Sequence, residues 1–572
     1  MTESLIVTPK FKKWSFLQTD DSVVRQLQEE LKVHYSIAKL LVLRGVESKE
    51  AADLFFNPSL DQLHDPFLMM DMDKAVERVH DAIQQQEKIL IYGDYDVDGI
   101  TAVSLIYTYF KSFYSKIGYY VPDRKKEGCG ISFDGIDYAQ KNGYSLIIAL
   151  DCGIKDHKEI DYATEDNIDI ILCDHHIPEK DLPKAVAILN PKRLDSEYPF
   201  KDLSGCGVGF KLVQAYSMKY NVKQEMVFDL LDFVTLSIAA DTVPVVGENR
   251  VLAYFGMKLM NNRKRPSFKA ILDIIKVRRR LELMDLVYTI SPRINAAGRI
   301  LHASYAVELL IETDHHKAKS KAKFLHANNF ERQQIDKSIT SSALEIIGKD
   351  KDFDDKRAIT IYQPDWHQGI IAIVASRMVE AFYKPTIILA DSNEGVVGSG
   401  RSVRGFDLYK VIESCSEYLI QYGGHKYAAG FTMHKENVED FLAAFHEKVE
   451  ELIQEDQLTP KIDVDDVIEL SDINEDFYYW ITKMEPFGSG NQKPVFVTKD
   501  VKDTGNNGFV GKSHLKIHVT KPGQKAKYGI GFQMWDYIPY LRSQETFDIC
   551  YHIYENKWNG ERNIEIKLKD LK

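Results

Sequence analysis

Residues 89–102 read ILIYGDYDVDGITA and place three aspartates, Asp94, Asp96 and Asp98, between two apolar runs. The run before the aspartates is short and aliphatic, as in a buried strand, and the run after them is long enough for a helix. Carboxylates this close together repel one another, and the repulsion is costly near a buried edge. The stretch therefore predicts a strand, a turn and a helix, with a binding site for positive charge at the turn.

The following residues repeat this alternation of strands and helices. Aliphatic strands are predicted at IGYYVP, YSLIIALDCG, IDIILCDHH and KAVAILNP, and a helix at IDYATEDN. Strands that are separated by helices form βαβ units, in which the strands run parallel and ligands bind at their carboxyl ends. We therefore expect an α/β fold with a mostly parallel sheet.

Acids and histidines stand at the ends of four predicted strands. They are Asp94, Asp96 and Asp98 after the first strand, Asp151 in IIALDCG, Asp174, His175 and His176 in ILCDHH, and Asp241 in LSIAADTVP. Each motif alone is more often a turn or a helix cap, but four together are improbable by chance. Carboxylates and imidazoles without thiolates suit Mn²⁺ or Mg²⁺ better than zinc. The pattern predicts two divalent ions, an arrangement that can clamp the attacking and leaving oxygens of a phosphodiester.

Two similar patterns are predicted to be structural. A second Asp-His-His triplet, residues 314–316, follows a helical segment and opens a lysine-rich helix. There Thr313 or Asp314 is predicted to cap the helix, with both histidines in a solvated first turn. The glycines of GCGVG, residues 205–209, lack the spacing of a dinucleotide-binding loop, so tight backbone packing is predicted there.

The composition excludes several classes of protein. The chain has 572 residues, of which 44% are hydrophobic and 28% charged, as in a globular protein of several domains. No apolar stretch reaches the length of a membrane span, and the polar N-terminus is unlike a signal peptide. The six cysteines form no CxxC pair, so we expect reduced thiols in a cytoplasm. A net charge of −12 disfavours uniform nucleic-acid binding but allows a local basic groove.

The residue patterns divide the chain into five parts. They are an N-terminal helical extension (1–70), a catalytic α/β domain (71–300), a helical connector (301–350), a second α/β domain (351–455) and a C-terminal part of short alternating strands (456–572). Asn559-Gly560, between the last two of these strands, predicts a hairpin turn. Five or six such strands predict a small β-barrel similar to an OB-fold.

On these motifs the chain resembles the DHH phosphoesterase superfamily, and within it the RecJ family of bacterial single-stranded-DNA exonucleases. The resemblance covers about residues 70–435 and rests on GDYDVDGITA, ALDCGI, CDHHIP, AADTVPVVGENR, GCGVGFKLVQA, SPRINAAGR, WHQGIIAIVASRM, GSGRSVRGFDL and GGHKYAAG. It implies a DHH-type parallel-sheet catalytic domain, a DHH-associated domain after the helical connector, and an OB-fold at the C-terminus.

The resemblance also implies which residues form the catalytic site. The implied metal ligands, all of them catalytic, are Asp96, Asp98, Asp151, His175, His176 and Asp241. Asp174 is a further catalytic residue, which we expect to orient His175 through its other ring nitrogen. Asp94 is either a ligand or a neighbour of the ligands. Many relatives carry a histidine ligand two residues before Asp94, where this chain has Tyr92.

A second set of implied residues binds the substrate. Ser399 and Arg401 in GSGRS are expected to hold a 5′-terminal phosphate, with Arg124 in VPDRKKEG as a further contact. A guanidinium that grips a terminal phosphate at two points would set the polarity of digestion. The residues expected to line the channel near the scissile phosphate are Asn295, Arg299 and His425. Cys129 replaces the family's aromatic residue after EG, so no base-stacking role is predicted for that loop.

Two further groups of residues allow alternative interpretations. The basic cluster RKRPSFKAILDIIKVRRR, residues 263–280, is a candidate track for a DNA backbone, but such a run is more often a solvated face. The aromatic residues Trp535, Tyr537 and Tyr540 are candidates for base stacking, but core packing is the favoured prediction.

The function that the resemblance implies is a metal-dependent 5′→3′ exonuclease that degrades single-stranded DNA to 5′-mononucleotides in DNA repair and recombination. The implied cofactors are two divalent ions, Mn²⁺ or Mg²⁺, and the implied substrate is single-stranded DNA with a free 5′ end. A single-strand-binding protein and a helicase are candidate partners. We expect a monomer in the bacterial cytoplasm, without membrane contact.

Two other functions are weighed against this one. The first is a DHH phosphatase or phosphodiesterase on short oligonucleotides or cyclic dinucleotides, which has little use for a barrel domain and a long N-terminal extension. The second is a non-catalytic single-strand-binding scaffold, in which degraded metal motifs are expected. Every ligand position in this chain is an acid or a histidine.

Overall fold

The computed structural model of the protein describes residues 12–124, 126–262, 265–393, 395–511, 513–558 and 561–572. Its first elements are strand β1 (Lys13–Phe16), helices α1 (Asp21–Leu31), α2 (Tyr35–Val42) and α3 (Lys49–Phe56), and 3₁₀ turns at Leu60–Gln62 and Pro66–Leu68. The predicted N-terminal extension is helical over these three helices, and His34 caps α2 where it begins at Tyr35. Among the described residues, no helix combines the length and the apolarity that a membrane crossing requires.

The first α/β domain contains a five-stranded parallel sheet, which confirms the predicted fold class. Its elements are α4 (Met72–Gln84), β2 (Lys88–Gly93), α5 (Val97–Lys111), β3 (Ile117–Tyr120), α6 (Phe133–Lys141), β4 (Tyr144–Leu150), α7 (His157–Glu165), β5 (Asp169–Cys173) and β6 (Ala187–Leu189). The strand order is β3-β2-β4-β5-β6. The first crossover places β3 on one side of β2, and the next places β4 on its other side, so the crossovers change direction between β2 and β4. Such a switch point is where open α/β sheets bind ligands, at the carboxyl ends of the strands.

A helical layer completes this domain and leads into the connector. Its helices are α8 (Gly205–Lys219), α9 (Gln224–Phe228), α10 (Leu231–Ala240), α11 (Gly247–Asn262), α12 (Pro266–Ile274), α13 (Leu283–Asp285), a π-helix (Leu286–Ile290), α14 (Ser291–Ile300), α15 (Ser304–Leu310) and α16 (His315–Lys349). Helices α5, α8 and α10 are apolar on nearly all sides and pack against one another in the largest core. Asp314 caps α16 by accepting from the Lys317 N–H, which confirms the structural prediction for the second Asp-His-His triplet.

The second α/β domain has a mixed five-stranded sheet in the order β10-β11-β9-β8-β7. Its elements are β7 (Ile359–Tyr362), α17 (Ile371–Phe382), β8 (Thr386–Ser392), β9 (Gly395–Arg401), α18 (Leu408–Ser414), β10 (Leu419–His425), β11 (Ala428–Met433) and α19 (Val438–Leu452), with 3₁₀ turns at Ser416–Tyr418 and Lys435–Asn437. Only β7 and β8 run parallel, because one crossover helix, α17, joins them while hairpins join β8 to β9 and β10 to β11.

The C-terminal strands close into a barrel, as predicted. The elements are β12 (Lys461–Val464), β13 (Asp466–Val467), α20 (Glu475–Lys483), β14 (Phe496–Asp503), β15 (Gly508–Val510), β16 (His514–Thr520), β17 (Lys527–Gly531), α21 (Ile538–Ser543), β18 (Phe547–Trp558) and β19 (Glu561–Leu571), with 3₁₀ turns at Glu455–Gln457, Leu470–Asp472 and Trp535–Tyr537. The sheet order β13-β14-β18-β19-β17-β16-β15 closes because β14 also pairs with β16. Asn559-Gly560, the predicted hairpin turn, lies outside the described residues, but β18 and β19 pair up to Trp558 and Glu561 on either side of it.

The two ends of the chain share one core. Apolar residues of α1, α2 and α3, among them Val24, Ile37 and Phe56, lie in the same hydrophobic cluster as Phe477 and Ile549 of the barrel domain. Strand β1 also pairs in parallel with β12. The N-terminal helices are therefore part of the C-terminal body, a long-range contact that no local pattern predicts. The domain boundaries proposed from the sequence stay a prediction.

Candidate metal centre and the residues around it

The turn after β2 is built by close backbone packing around three aspartates. Asp96 caps α5, because its Oδ1 accepts from the N–H groups of Asp98 at 2.8 Å and Gly99 at 3.2 Å. A Cβ atom at Gly99 would lie 2.4 Å from the carbonyl oxygen of Asp94, so only glycine fits there. The tight turn brings Asp94, Asp96 and Asp98 to the carboxyl end of the sheet.

Asp98 is held by three donors from other helices. Its Oδ1 accepts from the Cys206 N–H and the Ser237 hydroxyl, both at 2.7 Å, and its Oδ2 accepts from the Gly205 N–H at 2.8 Å. Gly205 and Cys206 form the first turn of α8, whose N-terminal end favours negative charge. The buried carboxylate of Asp98 is therefore fixed in place by these three donors.

Asp151 follows β4 and is equally buried. Its backbone is left-handed, with φ at +61°, which turns the carboxylate towards Asp98 and His175. A Cβ atom at Gly205 would lie 2.6 Å from Oδ1 of Asp151. The first glycine of GCGVG thus lets α8 approach the centre, which confirms the prediction of tight packing there.

The Asp-His-His triplet follows β5, and its two histidines differ. Nε2 of His175 points at three carboxylates, 3.2 Å from Asp151, 3.6 Å from Asp241 and 3.7 Å from Asp98. His176 is half exposed at the rim of the same cluster. The prediction that Asp174 orients His175 is wrong: Oδ1 of Asp174 lies 2.7 Å from Nδ1 of His176.

The reason for this correction is local backbone geometry. Asp174 folds back over its own turn and accepts the N–H groups of His175 at 2.7 Å and His176 at 3.1 Å, while its other oxygen accepts from the Ile154 N–H. The carboxylate then lies beside the ring of His176, two residues on. Nδ1 of His175 is buried and has no hydrogen-bond partner among the described residues.

Asp241 reaches the centre from a helix, so the prediction that it ends a strand is wrong. It is the residue that ends α10, and its N–H donates to the Ser237 carbonyl. The segment looked like a buried strand because α10 is apolar on all sides and has no helical stripe. The carboxyl end of α10 nevertheless lies at the same edge as the strand ends, because α10 packs against α5.

The acids and imidazoles form three overlapping groups, in each of which the ligand atoms lie within 4.8 Å of one another. The groups are Asp94 with Asp96 and Asp151, Asp98 with His175 and Asp241, and Asp151 with His175 and His176. Asp151 and His175 each belong to two of these groups, and shared ligands of this kind suit two neighbouring ions. The structure thus brings together all seven residues named for the metal centre or beside it.

Four aspartates of the cluster have raised pKa values, because too little positive charge lies near them. Burial, followed by repulsion from neighbouring aspartates, raises the pKa of Asp94 to about 7 and that of Asp241 to about 8. The same causes raise the pKa of Asp96, and they raise that of Asp151 well above its usual range. Oδ1 of Asp94 is buried and lacks a hydrogen-bond partner among the described residues. The oxygen-rich donor set with a neutral imidazole fits Mn²⁺ or Mg²⁺.

The predicted substrate-binding arginines lie together beside this centre. Nη1 of Arg401 on β9 lies 3.3 Å from the Ser399 hydroxyl, and Nη1 of Arg299 donates to the Gly369 carbonyl at 2.9 Å. Burial lowers the pKa of Arg299 to about 10, and the charges of Arg124, Arg332 and Arg401 add to the shift. A buried guanidinium whose pKa is lowered further by the charges of neighbouring guanidinium groups indicates a site for an anion.

Arg332, a member of this cluster, was missed in the sequence. It lies on α16, and Nη1 is 3.7 Å from the buried Asp336, which Arg377 also contacts at 2.7 Å. The sequence placed it on the polar face of the connector, where charged residues are common. Only the tertiary structure places that face beside Arg299.

The remaining predicted residues lie on two elements that face the centre. Asn295 is half-buried on α14, four residues before Arg299 and so on the same face of the helix. His425 ends β10, and its pKa is lowered by burial and then by the positive charge of His176. The second α/β domain therefore contributes to the rim of the metal centre.

Three arginines of the basic cluster 263–280 are engaged in ion pairs. Arg265 contacts the buried Asp232 at 2.8 Å, Arg279 contacts Asp285 at 2.5 Å, and Arg280 lies 3.1 Å from Glu485. Arg263 lies outside the described residues. The aromatic prediction holds in part: Tyr537 packs against the barrel core, but Trp535 and Tyr540 are exposed.

A cavity of about 1180 Å³ runs between the first domain and the barrel domain. It reaches Thr242, the neighbour of Asp241, and basic side chains outnumber acidic ones along its wall. The lysines on the wall are Lys258, Lys461, Lys483, Lys493, Lys567 and Lys569. A positive cavity beside an acidic centre, in a chain with a net charge of −12, indicates a polyanionic ligand.

Comparison with known proteins agrees with these features. Family models match for the DHH family, N-terminal domain, over residues 88–238, the DHHA1 domain over 355–451, and the RecJ OB domain over 464–570. The single-stranded-DNA-specific exonuclease RecJ of Bacillus subtilis is 33% identical, over 98% of this chain and 70% of its own length. The enzyme of the same name from Haemophilus influenzae is 31% identical, over 93% of this chain and 95% of its own length.

A solved structure shows the same fold. RecJ from Thermus thermophilus in complex with Mn²⁺ is similar with a TM-score of 0.83 at 23% identity, over 98% of this chain and 79% of that one. The identity to the curated relatives extends over nearly the whole chain and includes all three matched domains. The chain therefore belongs to the RecJ family of single-stranded-DNA-specific exonucleases.

Proposed function

We propose that this protein is a metal-dependent exonuclease that degrades single-stranded DNA from a free 5′ end and releases 5′-mononucleotides. The observation that carries the proposal is the convergence of seven acids and histidines on one edge of the sheet, beside a cluster of arginines whose charges lower the pKa of the buried Arg299. An acidic site can hold cations, and a neighbouring basic site can hold the phosphates that those cations act on.

The chain's own residues would divide the work as follows. Asp96, Asp98, Asp151, His175 and Asp241 would hold the ions, with His176 and Asp94 at the two ends of the cluster. When bound, two divalent ions supply a hydroxide nucleophile at neutral pH and neutralise charge on the phosphate. Asp98 is fixed by α8, so its carboxylate would be held in place for an ion. Asp174 would hold the His176 ring in one orientation.

The polarity of digestion would come from the arginine cluster. Ser399 and Arg401 on β9, with Arg124 and Arg299 close by, would grip a terminal phosphate, which only a free 5′ end presents. The barrel domain and the basic cavity would add affinity that does not depend on sequence, through phosphate contacts and stacking.

The cellular setting is part of the proposal. DNA repair and recombination in the bacterial cytoplasm, action as a monomer, and recruitment by a single-strand-binding protein or a helicase would suit such an activity. A DHH phosphodiesterase on short oligonucleotides is the second candidate, since the same metal cluster would serve it; the basic cavity beside Thr242 favours the longer substrate.

The test is digestion of end-labelled single strands with Mn²⁺, with and without a chelator. We expect loss of a 5′-phosphorylated strand from its 5′ end, no loss in chelator, and protection by a blocked 5′ end. Survival of the strand, or degradation from the 3′ end, would contradict the proposal. Preference for dinucleotides over long strands would favour the phosphodiesterase. Asp98→Ala distinguishes an enzyme from a non-catalytic scaffold. If the protein is an enzyme, this change should abolish digestion while strand binding persists.

A further inference from the structure

The segment that carries Asp241 needs support from outside its own helix. Thr242, which follows Asp241 directly, has a left-handed backbone with φ at +61°, an unfavourable conformation for a β-branched residue. The turn then runs through Pro244 and Val245 to α11. From its own domain, the side-chain N–H of Asn249 donates to the Pro244 carbonyl at 3.0 Å and the Arg250 N–H donates to the Val246 carbonyl at 3.2 Å.

A loop of the barrel domain, residues 485–492, has a rigid conformation of its own. Gly488 and Asn491 form a backbone bridge, and the Asn491 side chain donates to the Met484 carbonyl at 2.8 Å and the Pro486 carbonyl at 2.9 Å. The Oδ1 atom of Asn491 accepts from Nε of Arg44 at 2.8 Å. Asn491 is almost fully buried, so this loop is a fixed surface.

The fixed loop lies directly against the Asp241 segment. The Val245 N–H donates to the Ser489 carbonyl at 2.7 Å. A Cβ atom at Gly488 would lie 2.6 Å from Cγ2 of Val245, and one at Gly490 would lie 3.3 Å from Cβ of Pro244. Val245 is buried and β-branched, so its methyl groups have little freedom to move aside.

We propose that the loop 485–492 is a positioning element for Asp241, so that the barrel domain sets the metal affinity of a centre that lies in another domain. This inference rests on the proposed metal centre. Asp241 itself is held by its place at the end of α10 and by the turn that follows it. Since the turn is strained at Thr242, its position depends on contacts at Val245, and the barrel domain supplies the backbone hydrogen bond there.

A second contact fixes the position of the loop relative to the first domain. Arg250 on α11 donates from Nη1 to the Met484 carbonyl at 2.7 Å, and its guanidinium lies 3.9 Å from the centre of the Phe55 ring. Arg250 is buried, so it joins α3, α11 and the barrel loop at one point. The loop therefore cannot move without moving α11, which begins at the end of the Asp241 turn.

The test measures Mn²⁺ binding to the full-length protein by calorimetry. Gly488→Ala should weaken the binding by about tenfold, the effect typical of losing a neighbour that orients a ligand. Unfolding in chelator should remain a single cooperative transition, which a general folding defect would not allow. Gly508→Ala is the matched control, since a Cβ atom at that barrel glycine meets no atom within 4 Å.

A rescue variant makes the test independent of the stability of Gly488→Ala. Val245→Ala removes the methyl group that the new Cβ would meet, so Gly488→Ala with Val245→Ala should bind Mn²⁺ more tightly than Gly488→Ala alone. Native affinity in Gly488→Ala, or an equal loss in Gly508→Ala, would overturn the inference and leave the metal centre standing. Failure of the native protein to bind Mn²⁺ would instead contradict the proposed function.

Discussion

The Nε2 atom of His175 lies 3.2 Å from the Oδ1 atom of Asp151, at the ends of the neighbouring parallel strands β5 and β4. The same ring nitrogen is within 3.7 Å of Asp98 and Asp241. Three carboxylates around one imidazole nitrogen, of which Asp98 and Asp151 are buried and Asp241 is partly exposed, form a site that is short of positive charge. The stability of the metal-free protein is therefore as informative about this site as metal binding is.

Replacing Asp151 by asparagine should stabilise the metal-free protein. Burial and repulsion raise the pKa of Asp151 well above its usual range, and asparagine keeps the shape and tolerates the left-handed backbone. We expect the free energy of unfolding in chelator to rise by roughly 1–3 kcal/mol. Stabilisation by Mn²⁺ and nuclease activity should both be lost.

Thermal unfolding with and without Mn²⁺ measures both effects of Asp151→Asn. Asp181→Asn, which changes an exposed carboxylate in the same domain, serves as the control and should alter neither quantity. A metal-free variant no more stable than the native protein would show that charge repulsion in the centre is unimportant.

The stability of the metal-free protein should fall as the pH rises from 6.5 to 8. Folding raises the pKa of Asp94 to about 7, of Asp241 to about 8 and of His176 to about 9, so the folded state binds more protons in this range and loses stability as they leave. Each such proton contributes a slope of about 1.4 kcal/mol per pH unit. The pKa of His175 is lowered, so its opposite effect lies at more acidic pH.

Melting curves in chelator across this pH range check the slope. Asp241→Asn should make it shallower, because one of the titrating groups is gone. Saturating Mn²⁺ should remove most of the fall, since the metal replaces the protons at the carboxylates. A melting temperature that rises with pH in chelator would contradict the assignment.

Replacing Asp174 by asparagine should weaken the centre through His176. The Asp174 carboxylate lies 2.7 Å from Nδ1 of His176 and also accepts three backbone N–H groups. An asparagine keeps the volume but loses the charge that orients the ring, so we expect activity to fall about 10- to 100-fold. Steady-state kinetics at several Mn²⁺ concentrations measure it, and Asp137→Asn, at a half-exposed surface pair with Lys141, is the control.

Replacing Arg401 by alanine should remove the preference for a 5′-phosphorylated strand. Nη1 of Arg401 lies 3.3 Å from the Ser399 hydroxyl at the predicted phosphate site, and loss of a charged hydrogen bond should raise KM about tenfold or more. The KM for a strand with a 5′-hydroxyl should change little. Arg25→Ala, which breaks an exposed pair with Asp21 outside the cavity, is the matched control. Equal KM values for native and Arg401→Ala would remove Arg401 from this role.

Replacing Lys493 and Lys567 by alanine should reduce the salt dependence of strand binding. Both lysines line the cavity that reaches Thr242. Removing one lysine–phosphate interaction should lower the slope of log affinity against log salt by about 0.7. Filter binding in chelator over a range of salt concentrations measures the slope. Lys351→Ala, an exposed lysine outside the cavity, should leave it unchanged.

Local sequence was sufficient for most of the fold. The alternation of apolar strands and helices predicted the parallel sheet, and acids directly after β2, β4 and β5 predicted the metal centre, because parallel strands end at a common edge. The alternating C-terminal strands predicted the barrel, since a half-buried strand repeats every two residues. Asp241 was assigned to the centre but to the wrong element, because a helix that is buried on all sides carries no period.

Other features depend on distances in space, which no local pattern contains. The sequence by itself determined the turn after β2, the acids and histidines at the strand ends and the chemistry of the donor set. Only the tertiary structure decided that Arg332 joins Arg299 and that the barrel loop packs against Val245. The physical reason is that covalent neighbours fix the backbone turn locally, whereas side-chain partners from distant segments meet only when the cores have packed.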